Sequence, residues 1–318
     1  MALGTNHMTT TTQAVFIPEL WSDEVIAAYK KNLVLANLVT RMNHIGKKGD
    51  TIHIPKPTRG AASAKAAETQ VTLITATDTE VQISIDKHYE YSRLIEDILE
   101  KQALSSMRSF YTDDAGYALA TQVDQDLWLR AYALGGGTTN AVFNGTTVDF
   151  GTAGTVSGAD GSTAFNAGAD TGAGALTDVG IRTIIQSLDD ADIPMDDRFL
   201  IVPPVEKKNL TGIARFTEQA FVGESANANT IRTGLIGDIY GVPVYVSTHC
   251  PTDTEGSVDA RMALLAHRSA LVLVDQMSVR SQTQYKQEYL ADLFTADSLY
   301  GTGELRDDAG VKIAVLAS

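Results

Sequence analysis

"TIHIPKPTRGAASAKAAETQVTLITATDTEVQISIDKHYEY", Thr51 to Tyr91, decides how the rest of this 318-residue chain is read. Its two ends alternate with period two, the pattern of a half-buried strand. Ile52 and Ile54 share a face, with Thr51 and His53 on the other, until Pro55 and Pro57 end the strand. Val81, Ile83 and Ile85 alternate in the same way with Gln82, Ser84 and Asp86. The connection between them carries Lys56, Arg59 and Lys65 but is otherwise mostly small and polar. So long a connection inside a compact domain is commonly functional or mobile, and a two-stranded ribbon has little stability of its own in water. The ribbon needs a surface to lie on, either the protein's own core or a neighbouring subunit.

Towards the N-terminus, "MALGTNHMTTTTQAVF" reads as a short flexible arm ending in Phe16, without the basic and apolar regions of a signal peptide. "PELWSDEVIAAYKKN" follows as a short helix, with Pro18 and Glu19 at its start and Trp21, Val25, Ile26 and Tyr29 on one side. A turn at Gly46–Gly49 then leads into the ribbon.

Beyond the ribbon the period changes. From Ser92 to Leu134, apolar residues including Ile95, Ile98, Leu104, Tyr111, Leu119, Val123, Leu127 and Leu134 recur at mostly three or four positions. This predicts a short helix, a break near Ser105–Ser106, and a long helix to Leu134. A Gly/Thr/Ala-rich insertion follows over 136–175, too poor in apolar area to fold alone in a single way. A second unit opens with a helix capped by Thr177 or Asp178 and bearing Val179, Ile184, Ile185 and Leu188. Phe199–Val202 is a short buried strand stopped by two prolines, and a helical segment follows around Glu206–Ile213. "GVPVYVS" and "RMALLAHRSALVLVD" supply strands, and the C-terminal stretch adds a helix-like piece and further strands. Mixed elements without βαβ regularity give the class α+β.

Composition narrows the function. Twenty-five basic residues against 39 acidic ones give a net charge of −14, the wrong sign for gripping a phosphate backbone. The single cysteine, Cys250, excludes an internal disulfide and suits a reducing compartment. No apolar run reaches the ~18 residues of a membrane span.

The motifs offer little chemistry. In "GLIGDIYGVPVYVS", Gly234, Gly237 and Gly241 lack the spacing of a dinucleotide fingerprint or a Walker loop. They lead into a strand, with Pro243 near its start, rather than into a helix N-terminus that would bind phosphate. They read as a turn. "LDDADIPMDD" lacks the order and closing glutamate of a calcium loop and reads as a solvated turn. His249 and Cys250 are adjacent, so on a strand they face opposite ways and form no dyad. The other histidines show no zinc-binding spacing, and no G-x-S-x-G is present. Trp21 and Trp128 read as core anchors. No catalytic residue, metal or cofactor is expected.

The order of these features resembles the major capsid protein of tailed bacteriophages, the Hong Kong 97-like fold. The pieces that carry the resemblance are "NLVLANLVTRMNHIGKKGDTIHIPKP", "LDDADIPMDDRFLIVPP", "GLIGDIYGVPVYVS" and "YGTGELRDDAGVKIAV". The resemblance implies an N-terminal arm and short helix over 1–49 and an extended loop over 50–91. It implies a peripheral domain with its spine helix over 92–135, the insertion over 136–175, an axial domain over 176–275, and a return to the peripheral domain over 276–318.

It further implies a structural homo-oligomer of pentamers and hexamers, an icosahedral shell enclosing double-stranded DNA without specific binding. The protein would reside in the virion after assembly in the bacterial host cytoplasm, with no membrane partner. Ile52, Ile54, Lys56, Arg59, Lys65, Val81, Ile83 and Ile85 would serve the inter-subunit loop. Gly234, Gly237, Gly241 and Pro243 would form the axial-domain turn, and Phe16 and Trp21 the arm. Scaffolding, portal and decoration proteins are the further partners the resemblance suggests; the short arm points to a separate scaffolding protein or none. Two rival readings remain: an encapsulin-type compartment shell, and a soluble α+β enzyme with the Gly-rich segment as a lid.

Overall fold

The computed structural model describes residues 8–10, 35–57, 60–65, 67–68, 70–71, 73, 79–96, 107–134, 157–161, 174–213, 237–253 and 260–316. Phe16, the helix expected around Trp21, Arg59 and Gly234 lie outside the described residues.

Two sheets and one long helix organise the chain. The first sheet has five strands in the order β1-β5-β13-β12-β2. They are Met8–Thr10 (β1), Thr40–Asn43 (β2), Lys87–Glu96 (β5), Leu271–Lys286 (β12) and Ala291–Glu304 (β13). At its centre β12 and β13 form a long antiparallel pair, and β5 adds along β13 from Lys87↔Tyr300 to Glu96↔Ala291. The short helix α1, Leu35–Leu38, leads into β2, which lies parallel to β12.

Helix α2, Met107–Ala133, spans about 40 Å at 1.5 Å per residue. Ala115, Leu119, Val123, Leu127, Ala131 and Trp128 are buried along it, so the expected long helix and the core role of Trp128 both hold. Two carboxylates also point inward. Asp126 Oδ2 accepts a 2.7 Å bond from Tyr300 Oη, which satisfies a group that would otherwise be costly to bury. In the last turn of α2, Lys312 Nζ donates to the carbonyl of Tyr132 at 3.0 Å. That cation suits the negative end of a helix.

The second sheet follows the order β6-β14-β11-β7-β9-β8, with β10 beside β11. Its strands are Ser157–Gly158 (β6), Arg198–Val202 (β7), Asp238–Ile239 (β8), Val242–Val246 (β9), Thr252–Asp253 (β10), Ala260–His267 (β11) and Gly310–Leu316 (β14). Every residue of β7 is buried, as the apolar run Phe199–Val202 requires, and Arg198 at its start is buried with it. Helix α3, Asp178–Asp190, is capped by Thr177, whose hydroxyl accepts from the Gly180 N–H at 3.1 Å. Helix α4, Pro204–Thr211, starts at the second of the two prolines. One hydrophobic core joins α1, α2, α3 and both sheets.

Several expectations need correction. Ser92–Glu96 is not the start of a helix; it completes β5, where Tyr89, Tyr91 and Ile95 alternate with exposed Glu90 and Ser92. Among its described residues the C-terminal stretch contains no α-helix; its helix-like piece is the β12–β13 pair, and the one helical turn there is the 3₁₀ segment Asp307–Ala309. Val179 is 60 % exposed, and α3 instead buries Gly180, Ile181, Ile184 and Leu188. Pro55 does not end its strand but stays in register opposite Glu80, tolerable because an edge strand can spare an N–H. Where it is described, the insertion joins the second sheet: Ser157 and Gly158 pair with β14.

Candidate assembly surface

The ribbon is built from Thr51–Lys56 (β3) and Thr79–Ser84 (β4), paired antiparallel with Ile52 opposite Ile83 and Ile54 opposite Val81. A closing bond runs from the Ile85 N–H to the Asp50 carbonyl at 2.7 Å. The expected alternation therefore holds on both strands. Its apolar face packs on the first sheet of the same chain. Ile83 and Ile85 are buried with Val272 and Val274, and Met42, Ile52, Ile54, Val81, Leu299 and Leu305 close around them. Of the two supports that the sequence allows, the chain's own sheet carries the ribbon's root.

The seat explains the "YGTG" of β13. A Cβ on Gly301 would fall 2.6 Å from the Ser84 carbonyl oxygen and 3.1 Å from Ile85 Cα. One on Gly303 would fall 2.9 Å from Ile83 Cγ1. Both glycines are there because β4 lies directly on them. Nothing in the local sequence pattern of these residues gives that reason.

Beyond the seat the described residues of the ribbon are exposed. Pro57, the described residues of 60–65, Val71 and Leu73 are all exposed, Leu73 at 89 % and Val71 at 65 %. Lys56 and Lys65 are likewise in solvent.

On the same face of β13, two residues along from Leu299, the surface turns polar. Asp297 receives a two-pronged contact from Arg280, Nε to Oδ1 at 3.1 Å and Nη2 to Oδ2 at 2.7 Å, and His88 Nε2 lies 3.2 Å from Oδ2. Partial burial pushes the Asp297 carboxyl up, but the contacts from Arg280 and His88 outweigh this and hold it below its usual range.

The glycine-rich stretch is a turn in the structure too. Tyr240 and Gly241 both have positive φ, 52° and 79°, between β8 and β9. Two such residues make the tight hairpin turn whose twist suits the flanking strands. Gly237 precedes β8 and Pro243 sits in β9 opposite Asp238. The Tyr240 hydroxyl contacts the Asp178 carboxylate at the start of α3 and so pins the turn to that helix.

The remaining candidates for chemistry find structural partners. The acidic turn after α3 wraps around the buried Arg198 side chain. Arg198 reaches Asp189 Oδ1 at 2.7 Å and donates to the carbonyls of Ile193 and Pro194 at 2.6 and 2.8 Å. Among the described residues no group of three or more His, Cys, Asp or Glu is placed to hold a metal ion. Burial pushes the Cys250 thiol up, which suppresses the reactive thiolate. His249 turns to Asp124, with Nδ1 and Oδ2 2.9 Å apart. That pairing spans 125 positions and left no signal in the sequence. An apolar pocket between α3 and the second sheet is lined by Leu176, Ile181, Ile184, Leu200, Val242 and Ile313 among others. It lacks the convergent polar groups an active site needs.

Comparison with known proteins agrees with this picture. No curated protein matches the chain. Among solved structures, one from Mycobacterium phage Che8 is 24 % identical with a TM-score of 0.66, covering 88 % of this chain and 90 % of that one. The cyanophage Pam1 capsid asymmetric unit is 11 % identical with a TM-score of 0.68, covering 99 % and 98 %. The capsid of Ralstonia phage GP4 is 17 % identical with a TM-score of 0.63, covering 88 % and 87 %. These likenesses show the Hong Kong 97-like fold. The profile of the phage capsid proteins matches residues 78–313, about three quarters of the sequence. The chain belongs to the phage capsid protein family, as a structural protein of the shell and not an enzyme.

Proposed function

We propose that this capsid protein assembles into pentamers and hexamers that close an icosahedral shell around double-stranded DNA. The observation that carries the reading is the division of the ribbon. Its root is seated on its own sheet, while Val71 and Leu73 stand exposed beyond that seat. Apolar residues on a projecting segment gain free energy once a neighbouring subunit covers them. Each such contact can be modest because every subunit makes many, and head-to-tail contacts close a ring only when the rotation closes.

In this reading the ribbon is the extended loop, the first sheet with α2 the peripheral domain, and the second sheet the axial domain. Pairing supports ending the loop at Asp86, where β5 begins, and giving β14 to the axial side, where it pairs with β11. The hairpin at Gly237, Gly241 and Pro243 is the axial turn. Lys56 and Lys65 lie on the loop, positioned for a neighbour. Assembly takes place in the host cytoplasm, with scaffolding, portal and decoration proteins as further partners. The net charge of −14 argues that DNA is enclosed without being gripped.

Sedimentation and negative-stain microscopy of the purified chain test the proposal. Rings or shells are expected, and a monomer at every concentration would overturn it. Double-stranded DNA is expected inside native particles; protein cargo instead would point to a compartment shell.

A further inference from the structure

Asp124 is carried into the interior by α2 and has no exposed surface. Its two oxygens serve distant parts of the chain. Oδ1 accepts the backbone N–H of Leu35 at 3.0 Å, the first amide of α1, which has no acceptor within its own helix. Oδ2 lies 2.9 Å from His249 Nδ1, in the turn that follows β9. That turn is itself fixed: the His249 N–H donates to Ser247 Oγ at 3.1 Å, and the Ser247 N–H donates to the Val202 carbonyl of β7 at 3.1 Å. One carboxylate therefore joins the second sheet to the segment that runs through α1 and β2 into the ribbon. The His249 side chain is 22 % exposed, so solvent protons reach it, whereas the carboxylate is sealed.

We propose that Asp124 and His249 form a proton-operated latch that fastens the start of α1, and with it the lead-in to the ribbon, to the second sheet. With the imidazole protonated, the buried carboxylate has a cation against it. With the imidazole neutral, it is a buried anion held by hydrogen bonds alone, a costly arrangement. The hydrogen bond to Asp124 holds the His249 pKa above its ordinary value, outweighing the partial burial that lowers it. Two other titratable groups belong to this surround. The neighbouring Cys250 thiol is pushed up by burial and stays neutral, and the Arg261 guanidinium on β11 acts on that thiol in the opposite sense. Because the folded pKa exceeds the unfolded one, the latch is at full strength below about pH 6.5 and weakens as pH rises through the folded value. Every contact lies within one chain, so the inference stands apart from the assembly reading.

Deuterium exchange at the imidazole C2 carbon, read by mass spectrometry, gives the His249 titration midpoint in the full-length chain, assembled or not. A midpoint above 6.5 is expected in the wild type, and a lower one in Asp124→Asn, which removes the anion beside the imidazole. Amide exchange over residues 35–39, normalised to the middle of α2, provides the second readout. Its protection is expected to fall several-fold between pH 6 and 8 in the wild type and to stay level in His249→Gln. A wild-type midpoint at or below 6.5, or the same pH profile in both proteins, would overturn the latch. Should Asp124→Asn fail to fold, the wild-type titration and the His249→Gln profile still decide.

Discussion

A methyl group at Gly303 would meet Ile83 Cγ1 at 2.9 Å, and one at Gly301 would meet backbone. Gly303→Ala should cost about 1–3 kcal/mol through overpacking, and Gly301→Ala more, because the Ser84 carbonyl cannot rotate away as a side chain can. Urea unfolding measures the loss, and faster proteolysis near Lys65 reports a ribbon lifted from its seat. Titration at Glu304 gives a second test. Burial first, then the neighbouring Asp307, pushes its carboxyl up to about 7, while Lys312 and Arg130 oppose the shift. The folded state thus binds a proton that the unfolded chain releases near 4.5, so this group's stabilisation is lost as pH rises from there towards 7. A thermal-midpoint series should show that decline flattened in Glu304→Gln. Such contacts were not legible in advance. Asp124 reads as one more polar position on an amphipathic helix, and only the fold brings His249 to it.

The ribbon was the most legible element, because strict alternation at Ile52, Ile54, Val81, Ile83 and Ile85 leaves no helical reading. Its central contact should be correspondingly sensitive: Ile83, 1 % exposed, should lose about 2–5 kcal/mol on replacement by Ala, measured by chemical denaturation. The turn at Gly241 and the helices α2 and α3 were legible for the same reason, a local pattern with one interpretation. β5 and the β12–β13 pair were not. Ile95 fits a strand or the start of a helix equally well, and "SQTQYKQEYLADLF" is rich in residues that favour helices. Tertiary pairing, ten residues of β5 against β13, decides the matter. Val179 misled for a simpler reason: a residue buried in the first turn of α3 is Gly180, which packs on the turn at Ala159–Asp160 and carries no apolar signal. A Cβ there would meet the Ala159 carbonyl oxygen at 2.2 Å.

At the scale of the whole molecule, the order of the features pointed to the capsid fold before any one of them did. The ribbon's support was the point left open, and the structure divides it: the root rests on its own chain and the outer part lies exposed. Removing residues 60–73 separates the two roles. The shortened chain should keep its thermal midpoint within a few degrees yet remain a small oligomer or monomer in sedimentation, where the full chain is expected to form particles. Shells of normal size from the shortened chain would exclude a part for the loop in assembly.

The strand order carries one more consequence. β2 and β5 flank a pair made of residues 271–304, and β14, spanning 310–316, lies between β6 and β11. Both sheets therefore depend on residues beyond 270: the β12–β13 pair in the first and β14 in the second. Until those residues emerge, β2 has no strand to pair with and β5 lacks its long partner, so the first sheet forms only through long-range closures, which slow folding. A nascent polypeptide therefore has no seat for its ribbon before residues 271–304 have been made.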